Sequence, residues 1–293
     1  MNANYQIFVD STVDLPEEKA QNLGLAVIPF IFTLDGKDYH NYLDYRDLPV
    51  KTFYQELRNG KVGSTTQITA LRYKEAWEPY VKEGKDILYL CLSAALSKSY
   101  EQSLIAVDEL KSLYPDRKII SIDTKSASLG IGILVSHAAK ARDEGAGIDE
   151  NAKLVEGMIQ NLHHWIMADD LHHLRRGGRV SGAAAFVGTM LNVKPILTIL
   201  TDGRVTPVIK VRGRHKAIEA IIKKMKEYNF DPAGQIVAVA HSDVPEFANR
   251  LKDAITNAFG KLEFLTNEIG PLIGCHTGPG TLAAAFIADP RSN

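Results

Sequence analysis

Near the C-terminal end, Ile269-Gly270-Pro271-Leu272-Ile273-Gly274-Cys275-His276-Thr277-Gly278-Pro279-Gly280-Thr281 packs four glycines and two prolines around one His-Thr pair. An imidazole beside a hydroxyl suits a carboxylate or phosphate oxygen, because both groups donate hydrogen bonds. Glycine lets the backbone turn sharply or approach a ligand closely. A strand ending here would present His276 and Thr277 at the rim of an apolar space. The same residues also fit a tight strand–turn–strand corner in which His276 is a satisfied core residue. A second polar run, Gly63-Ser64-Thr65-Thr66-Gln67-Ile68-Thr69, carries four hydroxyls just before a helical pattern at 70–81. One hydroxyl is enough to cap a helix. The others, with the free N–H groups of a helix start, would make an anion site.

Ser93 and Ser97 follow a buried strand pattern at 86–92. In open α/β sheets ligands sit at the carboxyl ends of strands, where Asp10, Ser93 and Asp123 would face one crevice. Ester hydrolysis by Ser93 or Ser97 with His276 is the rival chemistry. It needs a base on the serine and a group orienting that base, and Ser93 stands in no G-x-S-x-G elbow. His163-His164 and His172-His173 invite a metal, but no third ligand at a recognised spacing accompanies them. Arg175, Arg176, Arg179, Arg212, Arg214 and Lys216 form a basic edge that suits an acidic protein face better than nucleic acid, given the overall charge balance.

The elements that must hold these groups alternate in the first half. Strand patterns at 5–9, 25–34, 86–92 and 118–122 are each followed by a polar loop, most of them leading into a helix, which indicates an α/β domain with a mainly parallel sheet. From residue 163 the texture changes to shorter apolar runs with Gly turns. Asp202-Gly203 between two apolar runs predicts a hairpin. Arg179-Val180-Ser181-Gly182 leads into an alanine-rich helix ending at Met190, and the apolar residues of 183–200 could line a ligand tail or fill an ordinary core. We therefore expect residues 1–162 to form an α/β domain and 163–293 an α+β domain, with a ligand between them.

With 293 residues, 45% of them hydrophobic and 24% charged, the chain is of ordinary globular composition. Lys plus Arg number 34 against 35 Asp plus Glu, so there is no general attraction to nucleic acid or anionic membrane. Cys91 and Cys275 are too few for a disulfide framework and point to a reducing, cytoplasmic setting. No apolar run approaches the ~20 residues of a membrane helix, so stable membrane insertion is not expected.

Taken together and in order, five segments resemble the DegV family of bacterial fatty-acid-binding proteins: Asp10-Ser11-Thr12-Val13-Asp14-Leu15-Pro16, Thr65-Thr66-Gln67, Leu92-Ser93-Ala94-Ala95-Leu96-Ser97-Lys98-Ser99-Tyr100, Gly177-Gly178-Arg179-Val180-Ser181 with Leu191-Asn192-Val193-Lys194-Pro195-Ile196-Leu197, and the H-x-G-P-G within 270–281. The resemblance implies two domains with a long-chain fatty acid buried between them. It also implies that a separate kinase subunit, related to the dihydroxyacetone kinases, phosphorylates the carboxylate to an acyl-phosphate for phospholipid synthesis. Carried over, the carboxylate contacts are Thr65, Thr66, Ser93, Ser97 and His276, with Arg212 and Thr277 at the head group or the kinase contact. No cofactor and no metal are implied. Ser93-Ala94 stands where the family often has Ser-Ser, so Ser93 or Ser97 must supply that hydroxyl. Ile68 stands where the family has Pro, which removes no donor. A fatty acid gains about 0.8 kcal/mol per buried methylene, so the tail can supply most of the affinity. Hydroxyls would offset carboxylate desolvation without a fixed cation beside a group that must later attack phosphorus. The chain carries neither a G-x-x-x-x-G-K-[ST] nor a Gly-rich kinase loop, which makes it a carrier rather than the kinase.

Overall fold

The computed structural model describes residues 4–169, 171–181 and 192–291. In chain order the first half comprises β1 (Tyr5–Asp10), α1 (Glu17–Asn22), β2 (Ala26–Ile28), β3 (Phe30–Leu34), β4 (Lys37–Asn41), α2 (Val50–Arg58), β5 (Gly63–Thr66), α3 (Ala70–Lys82), β6 (Asp86–Cys91), α4 (Ser99–Leu113), β7 (Ile119–Asp123), α5 (Leu129–Asp143) and α6 (Ile148–Ile159). The second half comprises β8 (Leu162–Met167), α7 (His172–Gly177), β9 (Val193–Ile199), β10 (Val205–Arg212), α8 (Arg214–Glu227), β11 (Ile236–His241), α9 (Pro245–Phe259), β12 (Glu263–Glu268), α10 (Pro271–Thr277) and β13 (Leu282–Ile287). The fold is mixed α/β. A parallel sheet of order β2-β1-β6-β7 and a mixed sheet of order β10-β9-β8-β13-β11-β12 are its two large layers.

The parallel sheet forms because its strands are apolar on both faces. In β6 every residue after Asp86 is buried, as a strand covered by helices on both sides requires. The expected single strand at 25–34 is two. Pro29 has a fixed φ and no N–H to give to a ladder. The chain leaves the parallel sheet there, and β3 joins β4 and β5 in a small antiparallel sheet. Asp35 and Gly36, both at positive φ, close the β3–β4 hairpin. Residues 37–41, not anticipated as a strand, complete it as β4.

In the mixed sheet the side chains alternate. Trp165, Met167, Val237, Val239, Ala284 and Phe286 belong to one apolar cluster with Ile221 of α8 and Leu251 of α9. The residues between them face the other way. Ala285 is paired with His164, Ala283 with Ile166, and Ala238 and Ala240 with Ala285 and Ala283. Helix α5 lies against that inner face. It is buried nearly all round from Leu129 to Ala139, as a helix between two layers must be. Gly132 permits this, because a Cβ there would come within 2.9 Å of Leu265 and 3.2 Å of Leu15, one from each half. The largest apolar cluster accordingly runs from the parallel sheet through α5 to Ala238, Ala240 and Ala285. Among the described residues no helix is long and apolar enough to cross a membrane.

Candidate functional site

Between α5, the alanine-rich inner face of the mixed sheet and the ends of β5 and β6 lies a cavity of about 350 Å³, within the usual range of small-molecule sites, about 300–1,000 Å³. Most of its wall is apolar: Leu129 from α5, Ile166, Leu197 and Ile199 from the sheet, and Leu272 and Ile273 from α10. The sheet's floor is made of Ala238, Ala240, Ala283 and Ala285, whose short side chains leave the space open. Thr65, Thr66, Ser97, Arg179, His276 and Thr277 are among the polar residues of its wall.

These groups come from four separate segments. The hydroxyl run does not stand at a helix start, as the sequence led us to expect. Thr65 and Thr66 are on β5, paired with Phe32 and Ile31. Only Thr69 caps α3, accepting from Arg72 N at 3.4 Å. His276 is likewise on a short helix rather than at a strand end. Gly270 is the N-cap of α10, Pro271 its first residue and Gly278, at φ 73°, its stop. Ser97 precedes α4 and accepts from Ser99 N at 3.2 Å. Ser99 Oγ in turn accepts from Ile68 N at 3.1 Å, which ties the β5 loop to the start of α4.

His276 Nε2 lies 2.9 Å from Thr65 Oγ1. Its Nδ1 is buried without a partner. Burial, and to a lesser degree the Arg179 charge, push its pKa down to about 4, so the ring is neutral near pH 7. With Nε2–H as the donor, Thr65 Oγ1 accepts from the ring and its own hydroxyl proton can be given to a ligand; with the other tautomer the Thr65 hydroxyl donates to Nε2. Gly177, the last residue of α7, packs on this ring, and a Cβ there would collide with Nδ1. Arg179 donates to Leu96 O at 3.2 Å and to Gly177 O at 2.6 Å, which fixes its guanidinium at the same end. Sequence reasoning placed Arg179 in a surface edge. Arg179 is exposed, as expected, but it also lines the cavity and its charge is felt by His276. The run Gly177-Gly178-Arg179 was the available signal, since glycines before a cation mark a close backbone approach.

Of the expected site residues, Thr65, Thr66, Ser97, His276 and Thr277 line the cavity, and Thr65 and His276 are in contact. Ser93 does not reach the cavity. It is fully buried, donates to Gly203 O at 2.9 Å and accepts from Ala95 N at 3.3 Å. It pins the tip of the β9–β10 hairpin, where Gly203 leaves room for it. The residue at 94 lies outside the wall too, with its N–H on Asp123 at 3.0 Å. Arg212 is exposed at the end of β10 and does not line the cavity. Ser93 and His276 share no hydrogen bond, so the hydrolytic pair is not assembled. The strand-end polar groups expected to face one crevice, Asp10, Ser93 and Asp123, do not line the cavity either. Asp10 is buried and accepts from Thr12 N, Leu92 N and the Tyr89 hydroxyl, while Asp123 accepts from the N–H groups of residues 94 and 125. Both shape the loops rather than face a ligand.

The paired histidines also separate. Adjacent strand residues point to opposite faces. His163 stacks on Phe286, with its Nε2 2.7 Å from Asp289 O, and His164 lies on the cavity side, 2.8 Å from Ser126 Oγ. Gly182 to Met190, expected as an alanine-rich helix, lie outside the described residues. Of that apolar stretch, Leu197 and Ile199 are in the wall.

A family model described as "Uncharacterised protein, DegV family" matches residues 4–289. A DegV domain-containing protein of Clostridium perfringens is 39% identical over 287 residues, covering 98% of both chains. Among solved structures, a DegV family protein from Thermus thermophilus, described with fatty acid binding, is similar at TM-score 0.87 and 28% identity over 97% of this chain and 99% of that one. DegV of Bacillus subtilis, described as a fatty acid binding protein, is similar at TM-score 0.85 and 26% identity over 98% of this chain and 100% of that one.

Proposed function

This chain belongs to the DegV family, and on that premise we propose that it is a carrier holding one long-chain fatty acid in the cavity between its two large sheets. The observation that carries this reading is the wall itself: mostly apolar, with Thr65 and His276 hydrogen-bonded to each other in it and Ser97 and Arg179 among its polar residues. The tail lies over the alanine floor, each buried methylene contributing about 0.8 kcal/mol. The carboxylate meets Thr65, Thr66 and Ser97, with His276 orienting Thr65 and Thr277 beside it. Arg179 balances the charge. Ser93 serves by anchoring the hairpin that carries part of the wall. The reading requires no cofactor.

The carboxylate would be handed to a separate kinase subunit that forms the acyl-phosphate. Support comes from the exposed Arg175, Arg176 and Arg179, adjacent in the chain, and from the exposed Arg212 at the end of β10, cations suited to an acidic partner face. Arg214 is not free to join them. With Lys194 it is committed to Asp169, at 2.9 and 2.7 Å.

Native mass spectrometry of the freshly purified chain, followed by lipid extraction, tests the carrier reading. One fatty acid per chain is expected. A ligand-free protein that also refuses added fatty acid would overturn it. Incubation of the chain alone with ATP and fatty acid should give no acyl-phosphate, and turnover without a second protein would overturn the division of labour.

A further inference from the structure

The molecule holds a second pair built like Thr65 and His276. His164 of β8 lines the cavity, and its Nε2 lies 2.8 Å from Oγ of Ser126, in the loop between β7 and α5. His164 is 4% exposed and Ser126 is fully buried. The wall around His164 is apolar. Ala285 of β13 is its strand partner, and Ile166 is the next residue of β8 on the cavity side. Gly130, in the first turn of α5, makes room for the pair. A Cβ there would collide with His164 Nε2 and come within 2.7 Å of Ser126 Oγ.

This pair carries two protons and a single hydrogen bond. If Nε2–H donates to Ser126 Oγ, the serine hydroxyl proton has no acceptor among the described residues. If the serine donates to Nε2, the ring proton sits on Nδ1, which is buried without a partner. Either tautomer therefore leaves one buried donor unmet, which is unfavourable in apolar surroundings. Burial, and to a lesser degree the Arg291 and His163 charges, push the ring well below its ordinary value, so it is neutral near pH 7. A protonated ring would only leave a second donor unmet. The group that the pair lacks is an acceptor, and the cavity is where a ligand can bring one.

The pair stands well along the cavity from Thr277 and His276. Thr281 Oγ1 donates to Thr277 O at 3.1 Å, and Thr281, Ala283 and Ala285 follow one another along the cavity floor. Ala285, opposite His164, is four positions beyond Thr281, about 13 Å along an extended strand. We propose that His164 and Ser126 form a specificity site for a fatty acid that carries an oxygen acceptor, a ketone or a hydroxyl, in the middle of its chain. The leftover donor of the pair bonds that oxygen, while the carboxylate stays with Thr65 and Ser97. The proposal rests on the carrier reading and adds to it which chains the cavity prefers.

Lipid-stripped protein is offered equimolar mixtures of stearic acid and one keto- or hydroxystearic acid, with the oxygen moved along the chain from mixture to mixture. Native mass spectrometry reads which acid is bound, because the two differ in mass. In wild type at least one mid-chain oxygenated acid should be bound as much as stearic acid or more. In the double variant His164→Phe with Ser126→Ala, the ratio for that acid should fall by about tenfold to a hundredfold, the effect of burying an oxygen without a partner. If stearic acid wins at every position in wild type, as it would with a water held by the pair, the proposal is overturned and the carrier reading stands. A ratio unchanged in the double variant also overturns it. If no acid is bound at all, both the proposal and the carrier reading fail. Should the double variant not fold, the wild-type series decides by itself.

Discussion

Nε2 of His276 sits 2.9 Å from Oγ1 of Thr65, although 211 positions separate them in the chain. Thr65 lines the cavity, and His276 holds its hydroxyl.

Replacing Thr65 by Val removes the donor but keeps the shape. Fatty-acid affinity should fall about 10- to 100-fold, the range for losing a hydrogen bond to a charged group. His276→Gln can still offer an N–H near Thr65 and should lose much less. Displacement titrations with a fluorescent fatty acid check both, and a Thr65→Val protein as tight as wild type would remove Thr65 from the site.

Gly177→Ala should reduce affinity by displacing His276, because its Cβ would collide with the ring. Gly157→Ala, in the last turn of α6 with open space around it, should be neutral or stabilising by about 0.4–1 kcal/mol. Paired chemical denaturation and binding curves separate the two. Equal effects on binding would mean that the contact with Gly177 does not set the ring.

Arg179→Gln should weaken fatty-acid binding a few-fold, the modest effect of an exposed charge, and leave a long-chain alcohol of the same length unaffected. The difference should shrink at high salt. An equal loss for acid and alcohol would make Arg179 a packing residue.

Burial holds His163 and His276 down to about 4. The unfolded chain takes up protons on these rings near 6.5, where the folded chain refuses them. Each therefore costs the fold stability as pH falls from about 6.5 to 4, to an upper bound of about 3 kcal/mol. Asp14 acts in the opposite sense, since the stability of its neutral form is lost as pH rises through about 7. Urea midpoints from pH 4 to 8 should show a shallower acid limb for His276→Gln than for wild type. An unchanged limb would mean that the ring is protonated in the folded protein.

Local chemistry made much of the fold legible. The buried pattern of β6, the hairpin at Asp202-Gly203 and the stop of α7 at Gly178, with φ 65°, each follow from residues adjacent in the chain. The β2–β3 division at Pro29 was equally local and could have been read from the missing N–H. So could α10, because Gly270-Pro271 and Gly278 are a helix start and stop seven residues apart. The glycine-rich look of that segment drew attention to turns instead.

The site was legible only as an inventory. The sequence by itself determined which hydroxyls, histidine and apolar runs the chain possesses, and their order carried the family resemblance. It also determined that 282–287 would be an apolar run and that the helix from Ser128 would be rich in small residues. Only the tertiary structure decided which groups share a wall. Ser93 turned to Gly203 and Arg212 stayed at the surface, whereas Arg179 and Thr65 converged on His276. The reason is that side-chain direction is local, but which two elements meet depends on the packing of sheets and helices far apart in sequence. A glycine such as Gly177 or Gly132 matters for the neighbour it admits, and that neighbour is named nowhere in its own stretch of chain.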